Sequence, residues 1–244
     1  MPDSSRQQTL QPSQTIGDPY RIPSRWDRPL RTRWDRALAW AHSIIGDHAF
    51  VRMIYLNRHK VAPNLWRAAQ PTPYQIADFA RRGVRTVVCL RGGRRHGSWP
   101  LELEACAQHG LRFVELVVRS RGAPDRDTIL EAAKFFDTLE YPALIHCKSG
   151  ADRAGFVAAL YMILREGASA SQALKQLSIR YGHFHWSKTG ILDAFFERYR
   201  DDGEARGVPF LEWVAHHYDP AALERDFKPH FWQSLISDRI LHRE

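Results

Sequence analysis

The stretch Pro142-Ala143-Leu144-Ile145-His146-Cys147-Lys148-Ser149-Gly150-Ala151-Asp152-Arg153-Ala154-Gly155 decides how this chain is read. Its first six residues are short and apolar, as a buried strand requires. A tight loop follows from Lys148 to Asp152, with Gly150 free to take a positive φ. A strongly apolar helix, 154–164, then begins at Arg153. A loop entering a helix N-terminus aims main-chain N–H groups and the positive end of the helix dipole at one spot. A cysteine delivered there is held as the thiolate, its nucleophilic form. The same N–H groups bind a phosphate or sulfate dianion, and Arg153 is placed to grip two of its oxygens. The implied reaction is attack of Cys147 on phosphorus, a phosphocysteine intermediate, then hydrolysis.

The spacing alone is weak. With 3 Cys and 29 Arg in the chain, chance gives roughly 0.4 cysteines six positions before an arginine. Three such pairs occur: Cys89 with Arg95, Cys106 with Arg112, and Cys147 with Arg153. Cys106 falls inside a helical run, where its neighbours' N–H groups are used up. Cys89 ends a strand, but the following Gly92-Gly93-Arg94-Arg95-His96-Gly97 continues as loop. Only Cys147 has strand, tight loop and helix together.

Outward from this stretch the sequence alternates strand and helix. Residues 86–90, 113–118 and 142–147 are short and β-branched or apolar. Helical patterns fall at 73–82, 100–108, 124–139, 153–165, 169–181 and 188–199. Alternation of this kind predicts an α/β fold with a central, mainly parallel sheet flanked by helices. The main domain is expected over 59–201. Residues 1–22, rich in Gln, Ser and Pro, are expected as a disordered tail. Residues 23–58 form an N-terminal helical extension, with Trp34, Leu38, Ala41 and Ile45 at helical spacing and Phe50, Met53 and Ile54 after the Gly46-Asp47 break. Arginines sit between the aromatics. The expectation is that this helix packs its apolar face on the main domain; the alternative is peripheral contact with an anionic membrane. Residues 202–244 form a C-terminal extension, loop-like after 201–203, with a last helix at 229–242 and Trp213, Phe227, Phe231 and Trp232 available for docking.

Composition narrows the classes. The chain has 244 residues, 44% hydrophobic and 25% charged, which suits a packed globular domain. Three cysteines exclude a disulfide-built scaffold. The longest apolar run, 154–164, is far short of the roughly 20 residues that span a bilayer. No apolar signal region stands at the N-terminus, so a cytoplasmic chain with reduced thiols is expected. The net charge is +8, carried by 29 Arg and only 6 Lys. Arginine's planar fork favours oxyanion recognition, so an anionic partner is expected. Nucleic acid is not, for no recognition motif accompanies the charge.

His146-Cys147-Lys148-Ser149-Gly150-Ala151-Asp152-Arg153-Ala154-Gly155 resembles the signature loop of cysteine-dependent tyrosine and dual-specificity phosphatases. Element order extends the resemblance over roughly 59–200. The resemblance implies that Cys147 is the nucleophile and Arg153 the phosphate-binding arginine. It implies that His146 holds the loop and tunes the thiolate, and that Lys148, Ser149, Gly150, Ala151 and Asp152 bind phosphate through the main chain. It implies no metal and no organic cofactor, and a phosphorylated substrate such as a phosphoprotein.

Two departures stand out. The family carries Ser or Thr after the arginine to assist departure of the thiolate; here Ala154 takes that place, which puts the second step in doubt. The loop that supplies the family's general acid, here 119–127, has no Asp in register. Asp125 and Asp127 read as first-turn residues of a helix. Asp152 is the other candidate acid, since an Asp at its position resembles myotubularin-type and Sac-type loops; it reads equally as a brace pairing with a basic side chain. Without either acid, the substrate needs a good leaving group. Arg91, with Arg94, Arg95 and His96, follows a strand whose carboxyl end should lie on the edge of the sheet that carries Cys147; the cluster is expected to line the rim and draw in an acidic substrate, with Arg91 as a substrate contact, and the alternative is a solvated basic turn. Residues 181–188 form a polar-aromatic loop between two helices; core packing and helix capping are expected for it, the alternative being closure over the substrate with His183 or Lys188 touching phosphate or water, and His183 with His185 lacks a third ligand that would make a metal site. A docking module that keeps the phosphate cradle without turnover, and a rhodanese-like sulfurtransferase, are the competing readings.

Overall fold

The computed structural model describes residues 15–16, 24–92 and 94–228. The described parts fall into two compact units, one of Met1–Val117 with Leu139–Gly150, the other of Val118–Thr138 with Ala151–Glu244.

The first unit holds the sheet. Its elements are β1 (Thr15–Ile16), α1 (Arg33–Ala41), α2 (Ala49–Ile54), β2 (His59–Ala62), β3 (Leu65–Ala69), α3 (Pro73–Arg81), β4 (Thr86–Cys89), α4 (Ser98–Gln108), β5 (Arg112–Leu116) and β6 (Ala143–Cys147). The strand order is β1-β5-β4-β6-β3-β2. Every pairing is parallel except β2 with β3. This is the expected α/β sheet. β6 lies between β3 and β4, with Cys147 in register with Ala69 and His146 with Cys89. All five residues of β6 are buried, which explains its unbroken apolar run: a central parallel strand is covered on both faces. One core cluster joins Phe79 of α3, Trp99, Leu103 and Cys106 of α4, and Val87, Phe113 and Leu144 of the sheet. Each large side chain so buried contributes about 1.5–3 kcal/mol. Pro73 occupies the first turn of α3, and Gln75 reaches back to accept the Thr72 N–H at 2.9 Å, an N-terminal stop signal written in the sequence.

The second unit is helical: α5 (Arg126–Asp137), α6 (Asp152–Glu166), α7 (Ala170–Ala173), α8 (Ile191–Arg198), α9 (Phe210–His216) and α10 (Pro220–Asp226). Helix α6 is buried along most of its length and ends at Gly167, whose φ of 65° gives the left-handed cap. Its Phe156 packs on Phe195 and Phe196 of α8. Trp213 of α9, 1% exposed, stacks within 5.7 Å of Phe195 and 5.3 Å of Tyr218. The Tyr218 hydroxyl donates to the Pro124 carbonyl at 2.8 Å. Trp213 therefore docks inside its own unit.

Several expectations change. The tail gives way at Thr15 and Ile16, which pair with Glu115 and Leu116 of β5; the rest of it, and the helix at 229–242 with Phe231 and Trp232, lie outside the described residues. The hairpin β2–β3 was not foreseen, because Leu65–Ala69 is buried on both faces and shows no alternation. The helix expected at 169–181 stops after α7, for Ser178 is extended and Gly182 has φ 78°. The stretch after 203, expected as loop, forms α9 and α10; Asp219 caps α10 with Pro220 at its first position. Helix α1 does not pack the stripe of Trp34, Leu38, Ala41 and Ile45: Ala39 and Trp40 turn inward toward Trp26, Leu30 and Leu101, while Trp34 is 79% exposed and Ile45, in the turn that follows, 76%. The inward contact is with Gly97, where any Cβ would come within 2.3 Å of the Ala39 carbonyl. Only a glycine at 97 lets the two backbones come so close. No helix of the described residues is long and apolar enough to cross a membrane.

Candidate active site

Cys147 ends β6 as a free, buried thiol. The loop after it is held by its carbonyls. The Lys148 carbonyl accepts from the Gln70 main-chain N–H at 3.4 Å. The Ser149 carbonyl accepts from Asn57 Nδ2 at 3.0 Å. The Gly150 carbonyl accepts from Arg67 Nη2 at 2.8 Å. Three successive carbonyls are thus tied to Asn57 before β2, Arg67 in β3 and Gln70 just after β3. Gly150 has φ 74°, and a Cβ there would lie 2.6 Å from the Ala68 carbonyl carbon and the Ala69 nitrogen. No other residue fits. Asn57 itself sits at φ 51°, a conformation asparagine tolerates better than most residues.

Behind the loop runs a buried polar chain. His146 Nε2 lies 2.6 Å from Glu102 Oε1. The approach is off the line of a good hydrogen bond, and among the described residues neither His146 nitrogen nor Glu102 Oε1 has another hydrogen-bond partner. Glu102 Oε2 accepts from Gln70 Nε2 at 2.7 Å. Gln70 Oε1 accepts from Arg91, whose fork also grips both oxygens of Asp47 at 2.8 and 2.9 Å. Asp47, fully buried, further accepts from Arg52 Nη2 at 2.8 Å and Ser98 Oγ at 2.5 Å. Burial pushes the Asp47 carboxyl up, but Arg91 and Arg52 outweigh it and hold the group well below the usual carboxylate range. Lys148 Nζ stands 4.0 Å from Asp47. The site therefore carries two guanidiniums and an ammonium around one carboxylate.

Cys89, Glu102 and His146 also bring donor atoms within 4.8 Å of one another. This is a set of ligand types that zinc accepts. The 2.6 Å between nitrogen and oxygen is a hydrogen-bond length, and burial pushes the Cys89 thiol well above its ordinary value, as do Glu102 and Glu115. The arrangement reads as a close carboxyl–imidazole contact beside a thiol that burial keeps protonated.

In the second unit, Asp152 and Arg153 open helix α6. Asp152 Oδ1 is 2.7 Å from His183 Nδ1, and Asp193 Oδ2 is 2.5 Å from His183 Nε2. Burial lowers the His183 pKa, but its two carboxylate partners prevail and push it up to about 9. At neutral pH His183 is an imidazolium that donates to both. Asp152 so held is a brace for the loop's last turn.

Of the expected site residues, His146 and Cys147 end β6, Lys148, Ser149, Gly150 and Ala151 form the turn, and Asp152 and Arg153 begin α6. Two other expected residues do different work. Arg91 spends its fork on Asp47 and Gln70 and is only 7% exposed, so its expected substrate contact gives way to a bracing role. Asp125 is the N-cap of α5: its carboxylate accepts from the Thr128 N–H at 3.0 Å. Asn57, Arg67, Gln70, Asp47 and Glu102 were missed, since nothing in their local patterns marks them. For His183 the signal was the polar-aromatic loop it sits in.

Comparison with known proteins bears on the same segment. A family model described as "DSP-PTPase phosphatase fused to NAD+ Kinase" matches residues 52–190. Two curated relatives, the dual specificity protein phosphatase TpbA of Pseudomonas aeruginosa strains UCBPP-PA14 and PAO1, are each 28% identical over 148 residues, covering 58% of this chain and 59% of theirs. The match thus spans less than two thirds of those relatives' length. Among solved structures, P. aeruginosa TpbA aligns at 24% identity and a TM-score of 0.47, over 58% of this chain and 84% of that one. TpbA in complex with pTyr aligns at 22% and 0.49, over 67% and 92%. With more than half of its length matched by the family model, and the signature segment inside the match, the chain belongs to the DSP-PTPase phosphatase family.

Proposed function

We propose that this chain hydrolyses phosphate monoesters through a phosphocysteine at Cys147. The observation that carries the reading is the loop itself: three successive carbonyls are pinned by Gln70, Asn57 and Arg67, and Gly150 is held where only glycine fits. With the carbonyls so engaged, the amides of 148–152 are the loop's means of binding an anion. Lys148 and the Asp47–Arg91–Arg52 cluster add positive charge beside it.

In the first step Cys147 Sγ bonds to phosphorus as the ester P–O bond breaks, and the leaving oxygen carries away the electron pair. Arg153 neutralises charge on the transferring group. In the second step water attacks phosphorus, the P–S bond breaks, and the thiolate is restored with release of orthophosphate. Because Asp152 is committed to His183 and Asp125 to a helix cap, the leaving oxygen receives no strong proton donor from either. Aryl phosphates, which leave well unprotonated, are therefore the favoured class, phosphotyrosine among them. Ala154 offers no hydroxyl to the departing thiolate, so the second step is slow. Membership of the family does not favour the docking-module or sulfurtransferase readings.

The test is phosphate release from para-nitrophenyl phosphate by the wild type and by Cys147→Ser. The expected result is turnover in the first and none in the second. Turnover surviving the substitution contradicts the proposal.

A further inference from the structure

Among the described residues, all the exposed large hydrophobic side chains except Ile179 and Leu211 lie between Trp34 and Tyr74. They are not scattered. Trp34, Leu38, Ala41 and Ile45 follow one face of a continuous helical run, α1 and the wider turn His42–Gly46, and Trp34, Leu38 and Ile45 are 79%, 45% and 76% exposed. Helix α2 adds Phe50, Met53 and Ile54, the last 87% exposed. The opposite face of α1 is the one that packs, through Ala39 and through an Arg36–Glu104 ion pair. With Arg36, Ala39 and Trp40 packed, the stripe of Trp34, Leu38 and Ile45 is left facing outward, and a contiguous exposed apolar patch marks an interaction surface.

Charge says what. Every exposed charged residue between 24 and 60 is basic: Arg25, Arg28, Arg31, Arg33, Arg58 and Lys60. The acids of the same stretch are covered or paired: Asp47 is buried, Asp27 meets Arg94 at 2.9 Å, and Asp35 closes the cap of α1 through Thr32. An exposed apolar face with aromatic members, flanked by basic residues of which Arg28 and Arg58 also pair with Asp35 and Asp78, is the surface an amphipathic helix offers to an anionic bilayer. A second copy of the chain fits worse, since a symmetric contact would set like charges against each other.

We propose that α1 and α2 seat this protein on an anionic lipid surface, with Trp34, Leu38, Ile45, Phe50, Met53 and Ile54 entering the interface and the arginines meeting the headgroups. The proposal stands apart from the catalytic reading, and its test reads binding rather than turnover. The full chain is sedimented with vesicles of phosphatidylcholine alone and of phosphatidylcholine with phosphatidylglycerol, at low and high salt. Binding is expected only with the anionic vesicles and is expected to weaken with salt. Arg31→Gln with Arg33→Gln should weaken it roughly thirtyfold, from two juxtamembrane charges, and Trp34→Ser with Ile54→Ser should abolish it. All four positions are exposed and outside the catalytic loop, so turnover of para-nitrophenyl phosphate should be unchanged in both variants and reports that they fold. Four results overturn the proposal: no vesicle binding; equal binding to neutral vesicles; a dimer dispersed by the apolar variant without lipid binding; or binding to soluble polyglutamate in place of vesicles, which would assign the surface to an acidic protein.

Discussion

Gly150 is where the residue scale speaks most plainly. Its positive φ and the main-chain atoms of Ala68 and Ala69, 2.6 Å from any added Cβ, leave no room for a side chain. Gly150→Ala should therefore displace the loop, lower kcat/KM at least a hundredfold and weaken inorganic phosphate binding, both measurable on the purified protein. An alanine variant with wild-type kinetics would show that the loop tolerates a shift. His183 makes the second residue-scale case. It is an imidazolium between Asp152 and Asp193, so His183→Gln keeps a donor but removes the charge. Turnover of the wild type should decline as pH rises toward about 9, where His183 loses its proton. The variant should be weaker at neutral pH and lack that limb. A pH profile identical in the two would remove His183 from any part in catalysis. Ala154→Ser belongs here too: supplying the hydroxyl should speed dephosphorylation and shrink the pre-steady-state burst of para-nitrophenol relative to the steady rate.

At the scale of elements, β6 and α6 were legible from sequence because each is a run of one kind, an apolar strand and a helix buried along most of its length, split by a glycine loop. β4 and β5 were legible from their β-branched residues. The hairpin β2–β3 was not, and with it went Asn57, Arg67 and Gln70, whose importance lies in which carbonyls they meet across the sheet. Long-range partners of that kind leave no periodic mark. Arg91 shows the same limit in reverse: the edge of the sheet was foreseen, but its partner Asp47 lies 44 residues away. Helix α4 carries the third case, Glu102, placed against His146. Glu102→Gln should leave the protein folded yet alter the ring held behind Cys147, so that kcat falls while KM stays near its wild-type value. Loss of folding in that variant would mark Glu102 as structural; Glu102→Asp, which keeps the carboxyl group, should restore part of kcat only if the contact with His146 matters.

Across the whole molecule, buried charge sets the pH range of stability. His183 has its folded pKa raised from 6.5 to about 9. Its contribution is complete below about pH 6.5 and is lost as pH rises through about 9, an effect on the order of 3 kcal/mol. Asp47 has its folded pKa depressed below 3.8, so its contribution is present above about pH 4 and fades in stronger acid. Thermal unfolding should show a plateau in mildly acidic to neutral solution with a fall on each side. His183→Gln should flatten the alkaline fall alone. Asp47→Asn, which leaves Arg52 and Arg91 buried without their partner, should cost about 3–5 kcal/mol at neutral pH.

In the proposed reaction the phosphoryl group passes through the sulfur of Cys147. The most direct measurement is to mix the protein with para-nitrophenyl phosphate, quench in acid within the first turnover, and locate phosphate by peptide mass spectrometry. A phosphoryl group is expected on the peptide containing Cys147, absent in Cys147→Ser and more abundant in the wild type than in Ala154→Ser. Turnover with no phosphorylated Cys147 peptide at any quench time, or phosphate found on another residue, would contradict it.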